Sequence, residues 1–382
     1  MSDRASDVII VGGGIGGAAA ALRAGQYGLK VTWVLGDSAS ARASRGKYVH
    51  EVDNMIGLHP GVMLGKLRKL LKDDEEALRK LDAATFTIGT QDIIDNVVER
   101  LAEQYPESAV LLRETAVKAR RTDGGFEVEL AGGDRLSAPA CVLSTGVMDV
   151  QPPIKKSLPS GKERDDIAWV FPYANFGRLL YCIRCEGHMV RETPTAVIGA
   201  SETTAQIAMM LHERYGVEVT ILTNGDELEV SPESRRLLEA YGIGSRKERI
   251  VDFEDLPPGE QPEQRVKRGT ELHAVVLEGG VRVPARFAMI AMGLHRVYND
   301  LARELGAELE GGELPVERQH VLVEDRSSET SVSQLFCVGD MARRRDGGPL
   351  MKQIYTAQEF AVRAVDTIER RRRSARRSEL LR

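Results

Sequence analysis

The chain has 382 residues, 42% of them hydrophobic and 29% charged, four cysteines and a net charge of −5 at neutral pH. These values fit a soluble globular protein of two or three domains and exclude a disordered chain, a disulfide scaffold and, with no run of 18 apolar residues, a helical membrane span. The mild acidity gives no reason to expect a nucleic-acid partner, and the acidic start Met1-Ser2-Asp3-Arg4 is unlike a secretory signal, so a cytoplasmic protein is expected.

Val8-Ile9-Ile10-Val11 is a short apolar run that ends at Gly12-Gly13-Gly14-Ile15-Gly16-Gly17. It predicts a buried parallel strand turning into a helix. The alanine-rich stretch that follows has high helix propensity, and Lys30 to Leu35 reads as a second strand. That strand–turn–helix–strand unit is the context in which Gly-x-Gly-x-x-Gly marks a dinucleotide site. Gly12 permits the tight turn, Gly14 lets a pyrophosphate approach the backbone, and Gly17 lets helix and strand pack closely. The helix N-terminus offers N–H groups to phosphates, and Asp37 stands 20 residues after Gly17, where an acid binds a ribose hydroxyl.

Gly36 to Gly61 is expected to be an irregular loop, Gly61 to Lys72 and Thr90 to Gln104 amphipathic helices, and Phe126 to Ser137 a hairpin around Gly132-Gly133. Ala140 to Gly146 reads as a buried strand in which Cys141 is a core residue. A polar stretch from Gln151 to about Ile167 reads as a linker. Beyond it the first pattern recurs, with a strand at Pro194–Ile198, a turn through Gly199-Ala200-Ser201-Glu202, a helix at Gln206–Tyr215 and a strand at Val217–Leu222. Here the middle glycine is Ser201, Glu202 brings negative charge to the phosphate position, and Thr223 to Glu229 holds three acids and no arginine. A 2′-phosphate wants a bidentate arginine, so NADPH is disfavoured; an unphosphorylated ribose is not excluded. The second domain is expected to end at Phe287–Gly293, before a strand that terminates in Gly339-Asp340 and a long helix from Lys352 to Arg370. The basic C-terminus, Arg370 to Arg373 with Arg376-Arg377, reads as a solvated helix end, with an acidic partner or a cofactor phosphate as the alternative.

Between the two patterns lies Cys182-Ile183-Arg184-Cys185-Glu186-Gly187-His188. Cysteines three apart can close into a disulfide, such motifs depress a thiol pKa, and two proton carriers follow at once. Glu186, if partly buried, is expected to have a raised pKa and to act as acid or base near neutrality; His188 is the competing carrier.

Assembled, these motifs resemble the low-molecular-weight thioredoxin reductase-like FAD-dependent disulfide oxidoreductases over nearly the whole chain. The resemblance rests on five motifs in order: the first glycine loop, Asp53-Asn54…Pro60-Gly61, Ser144-Thr145-Gly146, Cys182-x-x-Cys185-Glu186-Gly187, and Gly339-Asp340 with Lys352-Gln353…Thr356-Ala357. It implies an α/β fold of two Rossmann-like, three-layer ββα domains: a discontinuous FAD domain over 1–160 and 297–382, interrupted by a smaller domain over 161–296 that carries the cysteines. It also implies a homodimer. Gly12, Gly14 and Gly17 would hold the FAD pyrophosphate, with Asn54, Thr145, Gly146, Gly339, Asp340, Lys352 and Gln353 completing the flavin site. Cys185 would face the flavin and Cys182 the substrate. In the family an aspartate after the second cysteine donates the proton, and Glu186 takes that place. The departures in the second glycine loop match a branch that works without pyridine nucleotide, so the expected partners are a thioredoxin-like protein or a small dithiol or disulfide, with ferredoxin as a donor. Two other readings stand: a dithiol oxidase passing electrons to oxygen, and a regulatory flavoprotein with zinc on Cys182, Cys185 and His188. No second ligand pair completes such a zinc site, and no metal is expected.

Overall fold

The computed structural model describes residues 6–37, 45–47, 52, 54–58, 60–83, 87–157, 160–256, 271–347 and 351–382. In chain order, its two main sheets are built from β1 (Val8–Val11), β2 (Val31–Val34), β3 (Ala109–Leu112), β4 (Ala140–Leu143), β5 (Leu179–Leu180), β6 (Thr195–Ile198), β7 (Val219–Leu222), β8 (Gly244–Arg246), β9 (Phe287–Ile290) and β10 (Leu335–Cys337). The helices used below are α1 (Ile15–Gln26), α2 (Pro60–Leu70), α3 (Glu75–Ala83), α4 (Thr90–Gln104), α5 (Ile183–Glu186), α6 (Glu202–Tyr215), α7 (Pro232–Ala240) and α8 (Ile354–Leu380).

The chain divides into two compact units. Unit 1 comprises 1–47, 90–148 and 294–382; unit 2 comprises 48–89 and 149–293. The segment carrying α2 and α3 therefore groups with the second unit.

Unit 1 is organised by a parallel sheet of order β10-β4-β1-β2-β3. β1 is buried along its whole length, as a central strand covered on both faces must be, and it pairs in register with Val31–Val34 and Ala140–Leu143. Each fully buried Val or Ile there contributes about 1.5–3 kcal/mol. Small side chains on α1, among them Ala18, Ala20, Ala21 and Ala24, are buried in one core with Phe360, Ala361 and Ala364 of α8. A three-stranded antiparallel sheet over 116–138 adds the further β layer. Cys141 and Cys337 are fully buried on neighbouring strands of this unit; burial alone pushes the Cys141 thiol up to about 12, and burial followed by the nearby Cys141 raises Cys337 well above its usual range.

Unit 2 repeats the plan, with a parallel sheet of order β5-β9-β6-β7-β8 and an antiparallel sheet over 250–284. The polar stretch read as a linker instead contains an antiparallel pair, Ile154–Ser157 with Glu163–Asp166. It lacks the apolar alternation that marks most strands: Lys155 pairs diagonally with Glu163 and Lys156 with Asp166, while Lys156 stands directly opposite Arg164. The helix expected from Gln206 begins four residues earlier, because Ser201 and Thr204 form a capping box at its start. α3 was not expected from the sequence; its first turn carries Glu75 and Glu76, which suit a helix N-terminus.

Candidate functional site

The cysteine motif lies in unit 2, just after β5. Cys182 is extended and caps α5, and it is joined to Cys185 by a disulfide with a Cα–Cα separation of 5.3 Å. The Cys185 N–H points at Cys182 Sγ from 3.2 Å and also donates to the Cys182 carbonyl at 3.1 Å. When the pair is reduced, that N–H favours the thiolate at Cys182 over the thiol. Glu186 is buried, and one carboxylate oxygen accepts from the Tyr181 N–H at 2.9 Å and the Cys182 N–H at 3.1 Å. A carboxylate out of water is costly unless hydrogen-bonded, and these two amides are the compensation. Glu186 is therefore tied to the backbone immediately before the sulfurs. His188, one turn further, is exposed. Tyr181 opens the cysteine stretch in the sequence and Gln151 the polar one, but nothing in the sequence pairs them; the buried Tyr181 hydroxyl donates to Gln151 Oε1 at 2.9 Å. Among the described residues no group of three or more His, Cys, Asp or Glu side chains is arranged to hold a metal ion.

Unit 1 gathers most of the other predicted positions. Gly12 adopts φ +123°, and a Cβ there would stand 2.1 Å from the Ser144 carbonyl oxygen; a Cβ on Gly17 would stand 1.9 Å from the Gly12 oxygen. Only glycine fits either place. Gly14 differs: among the described residues nothing lies within 4 Å of its would-be Cβ, so the backbone at the α1 N-terminus is open to approach. No side chain caps α1 and its first turn holds no acid. The loop is braced by the Trp33 indole N–H, which donates to the Gly12 carbonyl at 2.9 Å. A buried indole needs an acceptor, which is the signal that could have marked Trp33 in the sequence.

Thr145 Oγ1 donates to the Tyr298 carbonyl at 2.5 Å, and Tyr298 N–H donates to the Gly146 carbonyl at 3.0 Å. Gly339, Asp340, Lys352, Thr356, Ala357 and Phe360 line one cavity. Gln353 is buried at the start of α8, its amide donating to the Lys352 carbonyl at 3.0 Å. Arg45 reaches Asp340 at 3.5 Å and was not anticipated; its segment lacks periodicity, and only the fold brings it to Asp340. Asp37 is exposed just past β2. Asn54 is half-buried in the segment grouped with unit 2, and Asp53 lies outside the described residues. The α1 N-terminus, with an approachable Gly14 and no competing acid, fits the pyrophosphate of a dinucleotide such as FAD.

The second glycine loop is built otherwise. Ser201 caps α6, and the Glu202 carboxylate accepts from the Ser231 N–H at 2.7 Å, from Ser231 Oγ and Gln206 Nε2, and from Ser234 Oγ. Those contacts, Ser234 first and the Ser231 amide next, hold Glu202 below the usual carboxylate range. The Glu229 N–H donates to the Ala200 carbonyl at 2.8 Å, strapping the loop after β7 onto the turn. Two cations absent from the run Thr223–Glu229 do reach that loop: Lys247 pairs with Glu227, and the Arg249 side chain lies against Gly225.

No curated relative matches the sequence. Solved structures do: a thioredoxin reductase from Streptococcus pyogenes (15% identity, 98% of this chain and 100% of that one, TM-score 0.69), a thioredoxin reductase from Giardia duodenalis (18%, 96% and 99%, 0.63) and an oxidoreductase from Agrobacterium tumefaciens (22%, 96% and 98%, 0.63). At these identities they show the shared fold. The pyridine nucleotide-disulphide oxidoreductase model matches residues 6–361. A two-unit α/β chain with an open glycine loop and a closed vicinal disulfide therefore belongs to the pyridine nucleotide-disulphide oxidoreductase family, and is a disulfide oxidoreductase of thioredoxin reductase-like fold.

Proposed function

We propose that the protein is an FAD-dependent thiol–disulfide oxidoreductase that reduces a thioredoxin-like protein or a small disulfide with electrons from a donor other than NADPH. The observation that carries the reading is the Cys182–Cys185 disulfide beside the anchored Glu186, in a chain of this family. Unit 1 is the FAD-binding unit: Gly12, Gly14 and Gly17 take the pyrophosphate, Asp37 the adenosine ribose, and Asp340 the ribityl chain. Thr145, Gly146, Gly339, Lys352 and Gln353 complete the flavin site. When bound, FAD supplies a two-electron carrier. The chain's own residues do the sulfur chemistry. Cys182, its thiolate favoured by the Cys185 N–H, attacks the substrate disulfide; Cys185 resolves the mixed disulfide; Glu186 orients the attacking residue and, with His188, handles the proton released or taken up. The non-NADPH donor, ferredoxin or a similar carrier, is supported by the Ser201 cap on α6, the acidic residue that follows it and the Glu229–Ala200 strap, all at the turn where a second dinucleotide would place its phosphates. A homodimer is part of the reading.

The test is anaerobic. Oxidised full-length protein is mixed separately with NADPH, NADH, reduced ferredoxin and a dithiol, and the flavin absorbance is followed. Bleaching by dithiol in wild type and its loss in Cys185→Ser are expected. Bleaching by NADPH as fast as by the other donors would overturn the donor assignment while leaving the sulfur chemistry intact. Bleaching by dithiol with rapid return in air, and oxygen consumption at the same rate, would favour the dithiol oxidase direction.

A further inference from the structure

Beside His188, the redox loop carries two exposed arginines, Arg184 and Arg191, to which the sulfur chemistry above gives no role. α5 runs directly into a 3-10 turn over Gly187–Val190. Along this continuous segment Glu186, Gly187 and Val190 are buried, while Arg184, His188 and Arg191 are exposed. The three follow one another at spacings of four and three residues, across the junction at Glu186 (φ −123°, ψ −10°) and up to the extended cap Arg191. Arg184 stands between the two half-buried cysteines, and Glu186, the nearest acid, is turned inward onto backbone amides. The exposed acid of the stretch is Glu192, at its far end. This positive charge is local: the whole chain carries −5.

The geometry points to Arg184, with Arg191 and His188, as the specificity determinant for an anionic substrate: a disulfide bearing carboxylates near its sulfurs. The inference rests on the thiol–disulfide reading above. In the step concerned, the Cys182 thiolate displaces one substrate sulfur; a Cys182–substrate disulfide forms, the substrate S–S bond breaks, and the departing thiolate takes up a proton. Cys185 then displaces the second substrate sulfur. Two electrons pass from the cysteine pair to the substrate and the Cys182–Cys185 bond closes. Negative charge spreads over three sulfurs during each displacement, so a cation carried on the residue between the two cysteines favours both the carboxylates of the substrate and the leaving thiolate.

The test uses full-length protein reduced with a phosphine, the excess removed, and mixed with three aliphatic disulfides of similar sulfur chemistry. These are 3,3′-dithiodipropionate, bis(2-hydroxyethyl) disulfide and cystamine, with closure of the cysteine pair as the readout. At low salt the anionic disulfide is expected to react about tenfold faster than the cationic one, with the ratio falling towards one as screening shortens the reach of the charges. Arg184→Gln is expected to remove most of that ratio and Arg184→Lys to restore much of it; Arg184→Gln/Arg191→Gln removes the rest. A matched pair of disulfide-bridged peptides, one flanked by aspartates and one by lysines, tells a protein source of the carboxylates from a small-molecule source. Charge-blind rates in wild type, or an equal fall for all three disulfides in Arg184→Gln, would overturn the inference alone. Failure of the reduced pair to exchange with any of them would instead remove the redox reading on which it stands.

Discussion

The two glycine loops start from the same topology and end in opposite uses of a helix N-terminus. At α1 the cap is Gly14, the first turn holds no acid, and the space beside the backbone is open. At α6 the cap is Ser201 in a capping box, the first residue is Glu202, and a strap from the following loop is hydrogen-bonded to the turn. Every helix leaves its first N–H groups without partners in the helix itself. A site for phosphate is one where the chain declines to fill that need; a structural helix is one where a side chain does. The difference between the units is therefore a difference of two or three residues on a shared frame.

The contrast can be broken most violently at Gly17. In Gly17→Ala the new methyl meets the Gly12 carbonyl, so about 3 kcal/mol or more of stability and all flavin retention are expected to go; denaturant midpoints and the yellow colour of the purified protein report both. Gly14→Ala is sharper. Its Cβ meets nothing among the described residues, so stability should change by less than about 1 kcal/mol while flavin affinity falls at least about tenfold; equal flavin retention would mean that α1 does not hold the phosphates. In unit 2, Glu202→Gln should lower the thermal midpoint modestly, with any effect on flavin content far smaller than that of Gly14→Ala.

The smallest effects separate the units by pH. Glu202 is held below its ordinary value by Ser234 and the Ser231 amide, so its contribution is present above about 4.5 and lost as pH falls further. In unit 1, burial and then the Lys352 charge hold His320 below its ordinary 6.5, with Glu310 opposing and Arg343 adding to the depression. That contribution is present above about 6.5 and is lost as pH drops through the depressed value. Thermal melts at stepped pH should show the first loss, near and below pH 6.5, weakened in His320→Gln, and the second, below 4.5, weakened in Glu202→Gln.

Much of this architecture was legible in the chain because it is local. The run Val8–Val11 against Gly12–Gly17, the repeat at 194–222 and the Cys-x-x-Cys are contiguous patterns whose period and turn chemistry carry their meaning. What stayed hidden is what the fold brings together from afar. Arg45 meets Asp340 across 295 positions, Lys247 and Arg249 reach the loop after β7, and Glu202 finds Ser231 and Ser234 on another helix. The pair Ile154–Ser157 with Glu163–Asp166 was illegible for another reason: it is built largely from charged residues and lacks the apolar alternation that marks a strand.

The deep placement of Cys141 and Cys337 gives the experimenter a silent background. With one thiol pushed up to about 12 and the other well above its usual range, neither offers thiolate to an alkylating reagent at neutral pH. In the native, reduced protein a maleimide should thus label Cys182 and Cys185 alone, and every label lost on oxidation can be counted against that pair without mutating anything.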